Sequence, residues 1–597
     1  MRLNDRSIRT MTTFLNSLRA ILLVVLLAVS EAHAAPGDLD PLVVDFVGIT
    51  DSVYVTAVQP DGKTIIAGLF TAVLGVPRSN IARLNADGTL DTGFDPKANG
   101  EVYSVAVQAD GKVLLGGGFS TLQPNGAGAA TARKFIARVN ASGTLDTGFD
   151  PKANSSVRSV AVKADGKVLL GGAFTALQPN GAPSGTLRDY IARVNADGTL
   201  DTSFNPKASN RVQCLAVQAD GKVLLGGLFF TLQPNGAATA TARQRIARVN
   251  ADGTLDTGFD PKLNSDVFSV ALQADGKVLL GGFFTKLQPN GAATETARQY
   301  IARVNADGTL DTGFDPKAEH YVYSVAVQPD GKVLLGGDFE TLQPNGAGAA
   351  TVRNCFARLV NDPATQTLTA PNATQTLWTR GGAAPELSRV TFEVSTDGGT
   401  TWGTPLAGTR IGTTPNWQRT GLTLPATGHL RARGMTTGGH WNSSSGIIEQ
   451  VTPFTFYTPL QQWKLTLLGS ASAPDLGDPD GDGVVTLAEY GINTLPQTAN
   501  AAPHPASRFT YAEGERLRLF LQRDPSHNDV TVIVESADSL AGPWAPVATS
   551  TLGAPFTGPG YVSGDDATPG VKTVEIRDTV NITDAAGRFM RVRVVRP

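Results

Sequence analysis

Cysteine is nearly absent from this chain, since only Cys214 and Cys355 occur among 597 residues. Two cysteines at non-equivalent positions are too few for the disulfide framework that small secreted domains use in place of a large core. We therefore expect no structural disulfide. The fold must depend on packed apolar side chains, which the 41% hydrophobic content supplies.

Charged residues are also scarce, at 17% of the chain, against about 25% in an average globular protein. The 50 basic and 53 acidic side chains give a formal net charge of −3. Because no excess positive charge is present to attract phosphate groups, we expect no nucleic-acid partner.

Templates for catalytic sites are missing as well. No G-x-S-x-G nucleophile elbow occurs, and Gly62-Lys63-Thr64 is not a phosphate-binding loop, because Ala57 stands where the leading glycine is required. The six histidines show no zinc-ligand spacing. We therefore predict a protein that is not an enzyme, with no catalytic and no organic cofactor-binding residues.

A long apolar run occurs near the N-terminus, at residues 20–29, and it is too short for a membrane core that needs about 20 residues. Arginines precede it, and Ala32-His33-Ala34 ends it. This order is typical of an export signal. We predict a signal peptide at residues 1–34, a secreted or cell-surface protein, and no transmembrane segment in the mature chain.

Internal repetition is the strongest pattern in the sequence. The tripeptide Asp-Gly-Lys recurs with spacings of 49 and then 55 residues, and Ile-Ala-Arg follows each copy, with Phe-Ala-Arg in the last unit. The six copies of Asp-Gly-Lys begin at Asp61, Asp110, Asp165, Asp220, Asp275 and Asp330. The chain therefore contains six similar units.

Each unit is predicted to form two hairpins. In the second unit, residues 102–108 alternate apolar and polar side chains, turn at Asp110-Gly111, and return as residues 112–119. After a loop at residues 120–133, a second hairpin spans residues 135–149. Four strands repeated at this period are typical of a β-propeller blade.

The ends of the array predict how the ring closes. The sixth unit lacks the Gly-Thr-Leu-Asp strand of the other five, while the mature N-terminus begins near Gly37-Asp38-Leu39-Asp40. We predict that this N-terminal segment completes the last blade and removes a free sheet edge. The result is an all-β, six-bladed propeller of four-stranded blades at residues 35–365, with seven blades as the alternative.

These markers resemble the delta-60 repeat propellers of bacterial secreted proteins, whose units carry the same Asp-Gly-Lys, Ile-Ala-Arg and Gly-Thr-Leu-Asp elements. The resemblance covers residues 37 to about 361. It implies a propeller fold and a location outside the cell, and it implies no reaction.

The sequence that follows the repeats predicts two β-sandwich-like domains. Residues 366–453 contain alternating segments separated by turn signals, as in immunoglobulin-like or fibronectin-like sandwiches, and residues 505–597 show the same pattern. Between them, residues 461–468 predict a short helix within a segment at 454–500.

That segment contains a calcium-loop pattern. Acidic residues at positions 1, 3 and 5, a glycine at 6 and a glutamate at 12 match the complete template, because alternate positions of a tight loop point inward and Ca²⁺ takes six to eight oxygen ligands. The predicted ligands are Asp478, Asp480, Asp482, Val484 through its carbonyl, Thr486 and Glu489. The segment looks like the single calcium loop of dockerin-like modules; the alternative is an acidic turn without metal. Ca²⁺ is the only cofactor predicted, in a structural role.

Two sets of repeated arginines permit two interpretations. Arg133 and Arg138, with their equivalents in the other units, either pair with the repeated aspartates or form a ring that binds an anionic polymer. The loops equivalent to residues 120–133 are the expected contact surface. We predict a secreted, non-enzymatic binding or scaffold protein for an extracellular glycan, protein or cell-surface component. The alternative is an extracellular polysaccharide hydrolase or lyase with its site in the propeller channel.

Overall fold

A computed structural model describes residues 49, 51–436, 445–480, 482, 484–497, 506–566, 568–585 and 587–597. The predicted signal peptide and the Gly37–Asp40 segment lie outside these residues. The chain divides into two compact units, one formed by residues up to 423 with 429–452 and the other by 424–428 with 453–597. No helix within the described ranges has the length and apolarity needed to cross a membrane.

The repeats form six successive antiparallel sheets of three strands, in the order inner, middle, outer. The inner strands are Ser52–Val58, Val102–Val107, Val157–Val162, Val212–Val217, Val267–Leu272 and Val322–Val327. The middle strands are Thr64–Leu69, Val113–Gly117, Val168–Gly172, Val223–Gly227, Val278–Gly282 and Val333–Gly337. The outer strands are Ile81–Leu84, Ile136–Val139, Ile191–Val194, Ile246–Val249, Ile301–Val304 and Phe356–Leu359.

The predicted first hairpin of each unit is present, with the glycine of Asp-Gly-Lys in the turn. Gly111 has φ +80°, which favours glycine because it has no Cβ. The Asp110 carboxylate accepts a hydrogen bond from the Lys112 N–H at 3.1 Å and so fixes the turn. The repeated tripeptide is therefore a structural turn motif.

The fourth strand is shorter than predicted. In the second unit it consists of one bridge between Val139 and Leu145, because the chain turns at once. The Asp146 carboxylate accepts a hydrogen bond from the Gly148 N–H at 3.1 Å, and the Asp146 carbonyl accepts one from the Phe149 N–H. The first five blades are thus three-stranded sheets with a single bridge to a fourth segment, and the described residues show no such bridge in the sixth blade.

Between the middle and outer strands, each loop forms a small ladder, and five of the six also contain a 3-10 turn. The two-residue strands pair as Ala72–Val73 with Val76–Pro77, Thr121–Leu122 with Thr131–Ala132, Ala176–Leu177 with Thr186–Leu187, Thr231–Leu232 with Thr241–Ala242, Lys286–Leu287 with Thr296–Ala297, and Thr341–Leu342 with Thr351–Val352. The 3-10 turns are Pro124–Gly126, Pro179–Gly181, Pro234–Gly236, Pro289–Gly291 and Pro344–Gly346.

Successive blades pack face to face. Leu114 and Ile136 of the second blade lie in one apolar cluster with Val157 and Leu170 of the third, and all four are fully buried. The interface is also hydrogen-bonded, because the Ser104 hydroxyl accepts from the Val160 N–H at 2.9 Å. Each internal blade is therefore held by both of its neighbours.

Glycine permits this close approach. A Cβ added at Gly116 would lie 2.9 Å from methyl carbons of Val157 and Val160 in the next blade. The equivalent Gly336 in the sixth blade has its nearest neighbour, the Ser324 Cβ, at 3.7 Å.

We predict that Gly116→Ala lowers the free energy of unfolding by about 1–3 kcal/mol through overpacking, whereas Gly336→Ala changes it little. Thermal unfolding of the two variants beside the wild type measures the difference. Equal destabilisation by both substitutions would mean that the sixth blade also has a neighbour packed against this face, and would contradict the structure.

The junction between the sixth and first blades differs from the other five. At the other five junctions the inner strands of successive blades contact each other, whereas the described residues show no comparable contact between the sixth and first inner strands. Instead, Ser445 pairs with the first inner strand, donating from its backbone N–H to the Thr56 carbonyl at 3.0 Å and accepting from the Val58 N–H at 3.1 Å. A cavity of about 480 Å³ separates residues 445–448 from Leu335 and Phe356 of the sixth blade. Closure into a six-bladed ring is therefore not established.

Residues 364–455 form two four-stranded sheets, as the alternation predicts. One has the order Ala364–Asn372, Gln375–Gly382, Trp417–Thr420, Thr409–Arg410. The other has the order Leu406–Ala407, Leu387–Ser395, Thr427–Thr436, Ile447–Thr455. The buried Trp378 of the first sheet donates from Nε1 to the Gln450 Oε1 of the second at 2.7 Å. We call this pair of sheets the middle sandwich.

The C-terminal sandwich has one sheet of four strands and one of three. The first has the order Ser507–Tyr511, Gly514–Arg523, Lys572–Arg577, Tyr561–Ser563, and the second Ala545–Thr551, Thr531–Ala537, Phe589–Val595. A 3-10 turn also occurs at Ile582–Asp584. Leu521 and Ile576 of one sheet pack against Val534 and Val547 of the other. The two faces therefore share one core.

Two helices precede this sandwich, α1 at Pro459–Leu468 and α2 at Thr486–Ile492. Thr458 begins α1 with a capping box, and Gly469 ends it in the left-handed conformation. The predicted helix at residues 461–468 is thus present and slightly longer.

Candidate metal centre and the repeated charges

Helix α2 follows directly on the acidic loop and supplies its last carboxylate, Glu489. Thr486 begins the helix, with its backbone N–H and its hydroxyl both donating to the Gly477 carbonyl, at 2.8 and 3.0 Å. The loop is tightened further by the Val484 N–H, which donates to the Asp482 carboxylate at 2.8 Å. These bonds bring the start of α2 close to Gly477 and fix Val484 beside Asp482.

The three aspartates of the loop meet. Carboxylate oxygens of Asp478, Asp480 and Asp482 all lie within 4.8 Å of one another. Such mutual proximity of negative charge is unfavourable unless a cation or protons compensate it.

Glu489 is the most informative residue of the site. Its side chain is fully buried, at 0% exposure, and neither carboxylate oxygen has a hydrogen-bond partner. Burial, and then the charges of Asp480, Asp482 and Asp478, raise its pKa to about 7. One oxygen of Asp480 is likewise buried and unpaired. A buried carboxylate without a donor is costly, and a hard cation would satisfy these oxygens together.

The predicted ligands divide into two groups. The carboxylates of Asp478, Asp480 and Asp482 lie together, and their negative charges act on Glu489. Thr486 directs its hydroxyl proton to Gly477, so only an oxygen lone pair remains for a ligand or a bridging water. For Val484, the structure shows a backbone N–H that donates a hydrogen bond to the Asp482 carboxylate.

Residues distant in sequence hold this loop in place. Lys464 on α1 is buried, donates to the Ala473 carbonyl at 2.6 Å and forms an ion pair with Asp475. Arg596, near the end of the chain, bonds the other oxygen of Asp475 at 2.7 Å. No local sequence pattern points to Lys464 or Arg596, because both reach the loop through tertiary packing.

The loop is also anchored to the C-terminal sandwich through Tyr490, the neighbour of Glu489. Its hydroxyl donates to Asp529 at 2.7 Å, and its ring stacks on His527 with centroids 3.8 Å apart. Asp529 also accepts from the Leu460 N–H at 2.8 Å, which ties α1 to the same point. The candidate metal centre is therefore continuous with the sandwich core.

The arginines of the Ile-Ala-Arg tripeptides form structural contacts within and between blades. Arg138 is buried, donates from Nε to Asp146 at 2.8 Å and from Nη1 to the Ala196 carbonyl of the next blade at 2.6 Å, and lies 4.4 Å above Phe149. Lys112 bonds the same carboxylate at 2.9 Å. Burial acts to raise the pKa of Asp146, but the bonds from Lys112 and Arg138 outweigh it and hold this pKa below its usual value.

The same arrangement recurs in the other blades up to the fifth. The pairs are Arg83–Asp91, Arg193–Asp201, Arg248–Asp256 and Arg303–Asp311. In the sixth blade, by contrast, Arg358 is exposed, and no carboxylate of the described residues forms an ion pair with it.

The second arginine set is also buried and paired in most blades. Arg133 donates to the Ala132 carbonyl at 2.8 Å and lies 3.7 Å from Asp150. Corresponding pairs are Arg78–Asp95, Arg243–Asp260 and Arg298–Asp315. Of the two interpretations of the repeated arginines, pairing with aspartate is the one observed.

Comparison with known proteins agrees with the repeat geometry. Five stretches of the chain match DUF5122, a β-propeller domain of unknown function: residues 59–94, 108–149, 163–204, 218–259 and 273–314. Five of the six units are therefore similar to DUF5122 repeats. Each matched stretch begins beside an Asp-Gly-Lys turn and ends at the phenylalanine below the arginine, such as Phe149.

No curated protein sequence matches the chain. Among solved structures, the WD40 β-propeller domain of Doa1 is similar, with 15% identity, a TM-score of 0.34, and coverage of 52% of this chain and 84% of that one. A weaker similarity, with 10% identity and a TM-score of 0.13, relates 91% of the chain to 32% of E. coli α2-macroglobulin.

Proposed function

We propose that this protein is an exported, non-enzymatic binding protein in which the array of DUF5122-like repeats presents a recognition surface and the C-terminal unit is stabilised by one calcium ion. The binding role is supported by the way in which the blades use their repeated charged residues. The buried arginines and aspartates form ion pairs with one another, so they do not provide a ring of reactive groups.

The middle sandwich covers part of one end of the propeller. The middle sandwich lies over the end of the channel that carries the Asp-Gly-Lys turns, where the Ala274 N–H donates to the Ala384 carbonyl at 2.7 Å and the Asp275 N–H to the Gly382 carbonyl at 3.0 Å. Cavities of about 70, 270 and 580 Å³ lie between the inner strands or their turns and this sandwich.

Calcium is the proposed occupant of the acidic loop. Glu489 supports this assignment, because two buried, unpaired oxygens beside three aspartates fit a divalent cation with oxygen ligands. Asp478, Asp480, Asp482 and Glu489 would contribute carboxylates, with the Val484 carbonyl and Thr486 completing the set. The ion would link the loop to α2 and so to the core of the C-terminal sandwich.

We further propose that the N-terminal segment supplies the fourth strand of the sixth blade. Phe356 is 59% exposed, whereas its equivalent Ile136 is fully buried. Arg358 lacks the aspartate that pairs with Arg138 in the second blade. Aligning Asp40 with Asp146 supplies that carboxylate. Ile49, the first described residue, already packs on the first blade, consistent with this path.

A combined screen tests the function. The protein lacking residues 1–34 is applied to an array of extracellular glycans, and release of reducing sugar is assayed on every glycan that it binds. We expect retention without release. Release of sugar from a bound polymer would favour the hydrolase or lyase alternative and contradict the proposal.

A further inference from the structure

The inner strands share a β-bulge that redirects one side chain per blade. In the second blade the register shifts between Val102 and Ser104, and the bulged residue is Tyr103. The same shift occurs in the other five inner strands. Bulges re-aim side chains and occur often beside functional sites. The six bulged residues, here called the bulge set, are Tyr54, Tyr103, Arg158, Gln213, Phe268 and Tyr323.

Residue type in the bulge set is not dictated by the fold. The residue before each bulge is valine in all six blades, as at Val102 and Val157, whereas the bulge set contains four aromatic residues, one arginine and one glutamine. The same backbone accepts all of them. A difference between blades that the backbone does not require indicates contact with something outside the repeat.

Members of the bulge set meet across blades. The rings of Tyr54 and Tyr103 stack with centroids 6.0 Å apart, and the Arg158 guanidinium lies 4.0 Å above Tyr103. On the other side, Phe268 and Tyr323 meet edge to face at 6.1 Å. Since the inner strands of successive blades contact one another, these side chains lie at the end of the inner strands opposite the Asp-Gly-Lys turns and the middle sandwich, here called the mouth.

Further rings extend this surface on the fifth and sixth blades. Phe283 stacks on Tyr321 with centroids 3.8 Å apart and lies 4.5 Å from Phe268. His320 contacts Tyr321 at 3.8 Å and is exposed, while the three other rings are partly exposed. Parts of these rings are therefore accessible to a ligand at the mouth.

The charges around the mouth nearly cancel. Arg245 pairs with Asp266 at 2.6 Å, and the Tyr323 hydroxyl donates to Asp338 at 2.8 Å. The basic groups are Arg158, Arg211 and Arg245, and the acidic ones are Asp51, Glu101, Asp266 and Asp338. A nearly balanced set gives little net attraction for a polyanion or a polycation.

We propose that the partly exposed members of the bulge set, which are Tyr54, Arg158, Phe268 and Tyr323, bind a neutral oligosaccharide together with Phe283 and Tyr321. This rests on the proposed binding function and names its ligand class. Aromatic faces accept the apolar faces of pyranose rings, while carboxylate and guanidinium groups hydrogen-bond to hydroxyl groups, which both donate and accept. A proline-rich peptide would also cover the rings, but its proline nitrogens carry no proton to donate to carboxylates such as Asp338.

Isothermal titration of the full-length mature protein with cellohexaose, maltohexaose and mannohexaose tests the site. We expect at least one of the three to bind. Phe268→Ala and Tyr321→Ala should each weaken that binding about tenfold, the usual value of one aromatic contact. Phe268→Trp should retain it, because a ring face is preserved.

Tyr457→Ala is the matched control, since it removes an exposed ring outside the bulge set and should leave affinity unchanged. Calorimetric unfolding of each variant confirms that it is folded. No binding of any hexasaccharide, or binding only of a proline-rich peptide, would overturn the ligand class. Glycan binding that survives both alanine variants would overturn the site and leave the proposed binding function intact, whereas cleavage of the hexasaccharide would overturn that function.

Discussion

Calcium should raise the unfolding temperature of the C-terminal unit by roughly 5–10 °C when its concentration is about 100 times the dissociation constant, because binding to the folded state then adds about 2.7 kcal/mol. Differential scanning calorimetry of the full-length protein, in calcium and in chelator, measures the shift. Glu489→Gln should remove it. Gln keeps the volume of the buried side chain but loses its charge and one ligand oxygen.

Adding calcium should reverse which of the two proteins, Glu489→Gln or the wild type, is the more stable. In chelator, the wild type retains a buried carboxylate without a hydrogen-bond donor, so Glu489→Gln should unfold at an equal or higher temperature. In calcium it should unfold at a lower temperature. Asp584→Asn is the control, because Asp584 is an exposed carboxylate of the same unit and should leave the calcium shift unchanged. A wild type insensitive to calcium would contradict the metal assignment.

Deleting residues 35–40 from the mature protein should destabilise the propeller by about 3–5 kcal/mol, the usual cost of removing one partner of a buried ion pair. The deletion removes the strand proposed to cover Phe356 and the aspartate proposed to pair with Arg358. The propeller transition in calorimetry should fall by roughly 5–10 °C. The transition of the C-terminal unit should not move.

A double-mutant cycle separates this pairing from a general effect of shortening the chain. Asp40→Ala and Arg358→Ala should show a coupling energy of about 1 kcal/mol or more. Asp146→Ala and Arg138→Ala provide the reference pair, whose contact is 2.8 Å in the structure. Additive effects for Asp40 and Arg358, beside coupling in the reference pair, would show that the N-terminal segment does not complete the sixth blade.

The blades could be predicted from sequence because their determinants are local and repeated. Alternation, the Asp-Gly-Lys turn and the fixed spacing each act within a few residues, and six copies reinforce them. The fourth strand was predicted too long, because Asp146 looks like a strand residue until its carboxylate is seen to cap the turn at Gly148.

Tertiary contacts account for what the sequence did not predict. Ser445 pairs with the first inner strand although 389 residues separate it from Thr56, and no shared pattern relates the two segments. The calcium loop was predicted from spacing alone, but the complete burial of Glu489 depends on the packing of α2 against the sandwich. The bulge set did leave a signal: alignment of the six units shows aromatic residues at one position between constant valines and small residues.

Equilibrium dialysis of the full-length protein against calcium, followed by elemental analysis, tests the candidate metal centre most directly. The cluster of three aspartates and the two buried, unpaired oxygens of Glu489 predict one calcium ion per wild-type chain and none retained by Glu489→Gln. A wild type that retains no calcium, or a variant that retains as much as the wild type, would contradict the assignment of Asp478, Asp480, Asp482 and Glu489 as its ligands.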